Sequence, residues 1–148
     1  MMKRIALSLA IAAALASGAV AEAIAAGHAD SHDSSVRVTV KYTGKGPVDD
    51  THRVWLWLFD TPDIGPGSMP IAELSIGKNG DTASFDSVTA AKVWIAAAYD
   101  VHGTMSGSAP PPSGTPVGVY ASSTGAPEGV KPGEKPVTLT FDESFRMP

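Results

Sequence analysis

Hydrophobic and polar residues alternate strictly from residue 36, and this sets the first element. Val36, Val38, Val40 and Tyr42 are interleaved with Arg37, Thr39, Lys41 and Thr43. Successive side chains of a strand point to opposite faces, so period-two patterning rich in β-branched residues predicts a strand with one buried face. Gly44, Gly46 and Pro47 end it, because Gly and Pro punctuate strands. Residues 53–59 follow another rule. Val54, Leu56 and Leu58 fall on one face, and Trp55, Trp57 and Phe59 on the other. A run that is apolar on both faces predicts a central strand covered on both sides. Residues 92–99 repeat that two-sided pattern. Weaker strands are predicted over 71–76, 82–86 and 117–120. A last one over 136–142 alternates Val137, Leu139 and Phe141 against Thr138 and Thr140. Between the third and fourth, Lys78-Asn79-Gly80-Asp81 carries the Asn-Gly signal of a tight hairpin.

Six or seven short strands with turn signals between them, and no amphipathic helix, predict an all-β chain folded as a single antiparallel β-sandwich. The 15 glycines and 12 prolines among 148 residues fit such a turn-rich body. One connection stands out. Residues 100–116 are rich in Gly, Ser and Pro, and at about 17 residues they exceed the usual length inside a compact domain, which marks a functional or mobile loop.

The beginning of the chain has a different pattern. Lys3 and Arg4 precede an apolar run of about 12 residues, too short for the roughly 20 that span a bilayer. Small residues follow, with Ala19-Val20-Ala21 fitting a small-x-small cleavage site. Residues 1–21 therefore read as a secretory signal peptide, 22–34 as a flexible tail and 35–148 as the sandwich domain, which predicts a periplasmic or secreted protein with no membrane insertion after cleavage.

Charge and cysteine content narrow the chemistry. The net charge is −4 and becomes more negative once Lys3 and Arg4 leave with the leader, which argues against nucleic acid and anionic membrane surfaces as partners. With no cysteine, the chain has no disulfides, lipobox, thiolate zinc site, iron–sulfur cluster or type 1 copper site. Packing alone must hold the domain together.

Residues 92–103 read Lys-Val-Trp-Ile-Ala-Ala-Ala-Tyr-Asp-Val-His-Gly. An aliphatic strand ending in an aromatic, then Asp, then a Gly turn, resembles the late strand of transthyretin-like domains, including carboxypeptidase regulatory-like modules. The run from Val54 to Asp60 is similar to the strand that opens their variable loop. The segment from Gly114 to Tyr120 is similar to a Gly-x-Pro-x-Gly-x-aromatic stretch in a related group of exported bacterial proteins. In that group the turn after the Asp carries further Asn and Asp residues suited to a cation, and here those acids are missing. The resemblance covers about residues 36–141 and implies an Ig-like or prealbumin-like sandwich with a binding or accessory role and no catalytic residue.

Three sets of side chains are candidates for function. The aromatic–Asp pairs Phe59-Asp60, Phe85-Asp86, Tyr99-Asp100 and Phe141-Asp142 each place an acid at the end of a strand. Asp60, Asp63 and Asp100, with His102, would suit a hard cation such as Ca²⁺ if the loops converged. The plainer account is that each Asp caps its own turn. His28 and His32 lie in the tail. Cleavage after Ala25 would leave Ala26-Gly27-His28 as an amino-terminal square-planar Cu²⁺ site. Trp55, Trp57 and Trp94 form the third set. On one exposed sheet face, with Ala96 and Ala98 beside them, they would grip a sugar ring or a protein partner; the plainer account buries them. There is no nucleophile elbow, catalytic triad or phosphate-binding glycine loop. The expectation is a non-enzymatic exported module that contacts a macromolecular protein or glycan partner and takes no cofactor. The alternatives are a carbohydrate-binding module and a Ca²⁺- or Cu²⁺-binding periplasmic protein.

Overall fold

The computed structural model describes residues 34–148. The predicted signal peptide, nearly all of the predicted tail, and both His28 and His32 lie outside the described residues. Ser34, the last residue assigned to that tail, already accepts a hydrogen bond on its carbonyl from the Val88 N–H at 2.9 Å.

Seven strands form two packed sheets: β1 (Val36–Tyr42), β2 (Val54–Phe59), β3 (Ala72–Ile76), β4 (Thr82–Phe85), β5 (Trp94–Tyr99), β6 (Val117–Val119) and β7 (Val137–Phe141). One sheet runs β4-β1-β7 and the other β3-β2-β5-β6. The chain is therefore a β-sandwich, with no helix among the described residues. Pairing is antiparallel throughout, except that β7 runs parallel to β1 with Val40 opposite Leu139.

Alternation assigns the core. Val36, Val38, Val40 and Tyr42 of β1 pack between the sheets against Leu139 and Phe141 of β7, Val54, Leu56 and Leu58 of β2, and Ile95, Ala97 and Tyr99 of β5. The two strands that are apolar on both faces, β2 and β5, pair with each other in the centre of the larger sheet. A central strand has neighbours on both edges and needs cover on both faces, which is what two-sided apolarity provides.

The turn at residues 78–81 departs from the predicted hairpin. β3 and β4 do not pair; they belong to different sheets, and the turn carries the chain from one to the other. Its partner is β1. The Gly80 N–H donates to the Val40 carbonyl at 2.8 Å and the Val40 N–H to the Asp81 carbonyl at 3.0 Å. Asn79 then stands in for a strand residue: its Oδ1 accepts from the Tyr42 N–H at 2.9 Å and its Nδ2 donates to the Tyr42 carbonyl at 2.7 Å. Asn-Gly supplies the positive φ of a tight turn, here +87° at Gly80, and that requirement is the same whether the next strand stays in the sheet or leaves it.

Candidate functional site

The register of β2 against β5 decides where the acids go. Phe59 lies opposite Trp94 and Val54 opposite Tyr99, so Asp60 leaves one end of the larger sheet and Asp100 the other. Six or seven strand residues separate the two levels, roughly 20 Å. Asp60, Asp63, Asp100 and His102 are thus not brought together, and among the described residues no three His, Asp or Glu side chains cluster closely enough to hold a metal ion. The convergence that a cation site would need is not made, which leaves the account in which each Asp serves its own turn. Asp100 is 3% exposed and caps the following turn, its carboxylate accepting from the Thr104 N–H at 3.1 Å and the Met105 N–H at 2.9 Å. Asp142 caps likewise, accepting from the Ser144 N–H at 2.7 Å; bonds from the Ser144 hydroxyl and N–H hold its carboxyl below the usual range. Asp63 is exposed, and its backbone carbonyl receives the Ser68 hydroxyl. His102 is exposed in the turn beside Thr51.

The same register places Trp55 opposite Ala98, Trp57 opposite Ala96 and Phe59 opposite Trp94. All three tryptophans share the face of the larger sheet that points away from the other sheet, over a floor of Ala96 and Ala98. That face is not the open platform the sequence suggests. Trp57 is only 6% exposed, because residues 101–116 fold back over it and Ile64 and Met105 pack alongside. Its Nε1 donates to the Gly107 carbonyl at 2.8 Å. Trp55 is half-buried beneath Gly107, where a Cβ would run into the indole ring. Trp94 is half-buried beside Gly129 and Lys92.

A different region is open. β6 and β7 each end their sheet, and a groove of about 650 Å³ runs between them, lined by Thr43, Val117, Gly118, Val119, Phe141 and Phe145 among others. Gly118 sits there because a side chain would collide with Phe141. The direction of the β6 backbone follows from its bonds to β5. The Tyr99 N–H donates to the Pro116 carbonyl and the Tyr120 N–H to the Ile95 carbonyl. Even-numbered residues of β6 therefore face β5, and the N–H and C=O groups of Val117 and Val119 face outward. Part of that edge is already occupied. Residues 145–147 lie antiparallel along it, with the Val117 N–H donating to the Phe145 carbonyl at 3.0 Å and the Met147 N–H to the Thr115 carbonyl at 2.9 Å. Among the described residues, the Val119 portion has no strand beside it. Val119 is 37% and Phe145 76% exposed.

Glu143 and Arg146 fix the added segment. Glu143 Oε1 accepts from the Lys45 N–H at 2.9 Å, and Oε2 from Arg146 Nη2 at 2.9 Å. Arg146 Nη1 donates to the Gly114 carbonyl at 2.7 Å. The Lys45 N–H, with help from the Tyr42 hydroxyl and Arg146, holds the Glu143 carboxyl below its ordinary value. Burial and the nearby Glu143 push the Tyr42 hydroxyl well up. Its ring stacks on Tyr99 with centroids 4.2 Å apart. Sequence reasoning did not find this seam. Its only traces are the lone Gly118 between two valines and a large aromatic, Phe145, beyond the last strand.

No family model matches the chain, and no curated protein matches it. Among solved structures, an alternative pilotin from the type II secretion system of Vibrio cholerae is similar with a TM-score of 0.45 at 18% identity, over 73% of this chain and 94% of the pilotin.

Proposed function

We propose that this chain is a non-enzymatic exported accessory module that binds an extended segment of a protein partner along the outward edge of β6. The observation that carries this reading is the half-filled edge: residues 145–147 pair with it by backbone bonds, while Val119 beside them has outward N–H and C=O groups and no strand to receive them. Unpaired edges are templates for strand addition, in which the backbone supplies affinity and alternate side chains supply selectivity. Val119, Phe141 and Phe145 line the groove the added strand would face, so the partner segment carries apolar residues at every second position. Export rests on the leader-like start of the sequence. Kinship with transthyretin-like modules remains part of this proposal and is supported by the two-sheet architecture alone. A glycan platform is disfavoured by the loop over Trp57, and a Ca²⁺ site on Asp60 and Asp100 by their separation.

The test is selection of binders from a displayed library of extended peptides, followed by affinity measurement on variants. Val119→Pro removes an outward N–H but none of the bonds to β5, which an edge strand tolerates. The expected result is alternating apolar peptides whose affinity falls about tenfold or more in Val119→Pro, the loss of one or two backbone bonds. Binders unaffected by Val119→Pro and Phe145→Ala would overturn the proposal.

A further inference from the structure

Residues 101–116 close over the tryptophan face with very few attachments. Residues 114–116 are bonded to β5 and to the 145–147 segment, but the backbone of residues 101–113 is tied to the larger sheet at two points: the Asp100 carboxylate receives the Thr104 and Met105 N–H groups, and the Trp57 indole donates to the Gly107 carbonyl. From 101 to 114 only Gly107 is buried, with Met105 and Pro111 half-buried, and every other residue is exposed. Little apolar area holds the segment down. The segment rests on Trp55 through Gly107, which meets the six-membered ring of the indole. Segments with few buried apolar contacts open locally, well below the free energy of global unfolding.

We infer that residues 101–113 form a latch that lifts from the larger sheet as a unit while both sheets stay folded, baring Trp55 and Trp57 on their floor of Ala96 and Ala98. Gly107 is the contact point. It has φ +78°, and any side chain there would meet the Trp55 ring, so the latch closes only over glycine. Opening breaks three hydrogen bonds, none of which belongs to a strand ladder. The aromatic surface is thereby gated. This gate is separate from the β6 edge and stands or falls without it.

Amide hydrogen exchange on the wild-type chain tests the latch directly. The Thr104 and Met105 amides are expected to exchange on the order of 100-fold or more faster than those of Leu56 and Ala97, and to be insensitive to low denaturant, as local opening requires. Equal rates with the same denaturant dependence would overturn the inference. A second measurement uses tryptophan emission, since all three tryptophans lie on this face. Gly107→Ala is expected to shift emission to the red and raise acrylamide quenching about twofold with the far-ultraviolet dichroism unchanged. Gly114→Ala imposes a similar φ, +81°, with nothing near its Cβ, and is expected to leave emission unchanged. Equal emission from the two variants would contradict the latch.

Discussion

On β2 and β5 both faces of the larger sheet are apolar in sequence, and they are covered in opposite ways. The inner face presents Val54, Leu56, Leu58, Ile95, Ala97 and Tyr99 to a second sheet. The outer face presents Trp55, Trp57, Phe59, Ala96 and Ala98 to loops. Sheet-on-sheet cover interlocks side chains along whole strands and leaves backbone groups paired within each sheet. Loop cover reaches the outer face through one glycine carbonyl, two capped amides and a few side chains. The larger side chains thus lie on the less secure side. Apolarity tells where a face is covered; the regularity of the covering element decides how firmly.

Substitutions that act on one face at a time sharpen this contrast. Leu56→Ala empties a fully buried inner site and is expected to cost about 2–5 kcal/mol, seen as a lower urea midpoint with cooperative unfolding retained. Gly118→Val forces a side chain against Phe141, at about 1–3 kcal/mol. Trp57→Phe keeps an aromatic ring but removes the N–H-bearing half of the indole and with it the bond to Gly107. It is expected to lower global stability by only about 0.5–1.5 kcal/mol while speeding exchange at Thr104 and Met105. If Trp57→Phe costs as much as Leu56→Ala, the two covers are equally firm and the contrast fails.

The smallest expected effect is electrostatic. The Glu143 carboxyl is held below its ordinary value in the folded chain, so the folded state binds fewer protons there than the unfolded state does. Its stabilisation is present above the ordinary glutamate value and fades as pH falls through the depressed folded one. Glu143→Gln is expected to flatten the slope of stability against pH in that acidic window and to lower neutral stability slightly, because the group is half-buried and partly screened by solvent. Denaturant titrations across the window measure it.

Much of this was legible from side-chain alternation. The pattern of β1 specifies a strand and its buried face, and those of β2 and β5 specify strands in a central position without saying which face meets the second sheet, because period two is a local property of the chain. That Trp55 and Trp57 oppose Leu56 and Leu58 was equally readable. What covers each face was not, since residues 101–116 have no period and nothing local marks Gly107 as the residue that reaches Trp57. The Asn79-Gly80 turn was visible, but its φ requirement does not encode a change of sheet. Asp60 and Asp100 looked alike because each follows a strand-ending aromatic; only the antiparallel register of β2 and β5 sends them to opposite ends. The β6 seam depends on non-local pairing of a three-residue strand, and on residues 145–147 returning to it, which no short-range pattern records.

The β6 edge is tested most directly by nuclear magnetic resonance on the isotope-labelled chain with a selected alternating apolar peptide. Strand addition predicts that the Val119 amide shifts and becomes protected from exchange on binding, with Phe145 shifting beside it and the indole signals of Trp55 and Trp57 unmoved. Shifts confined to those indoles, with Val119 still exchanging freely, would contradict it.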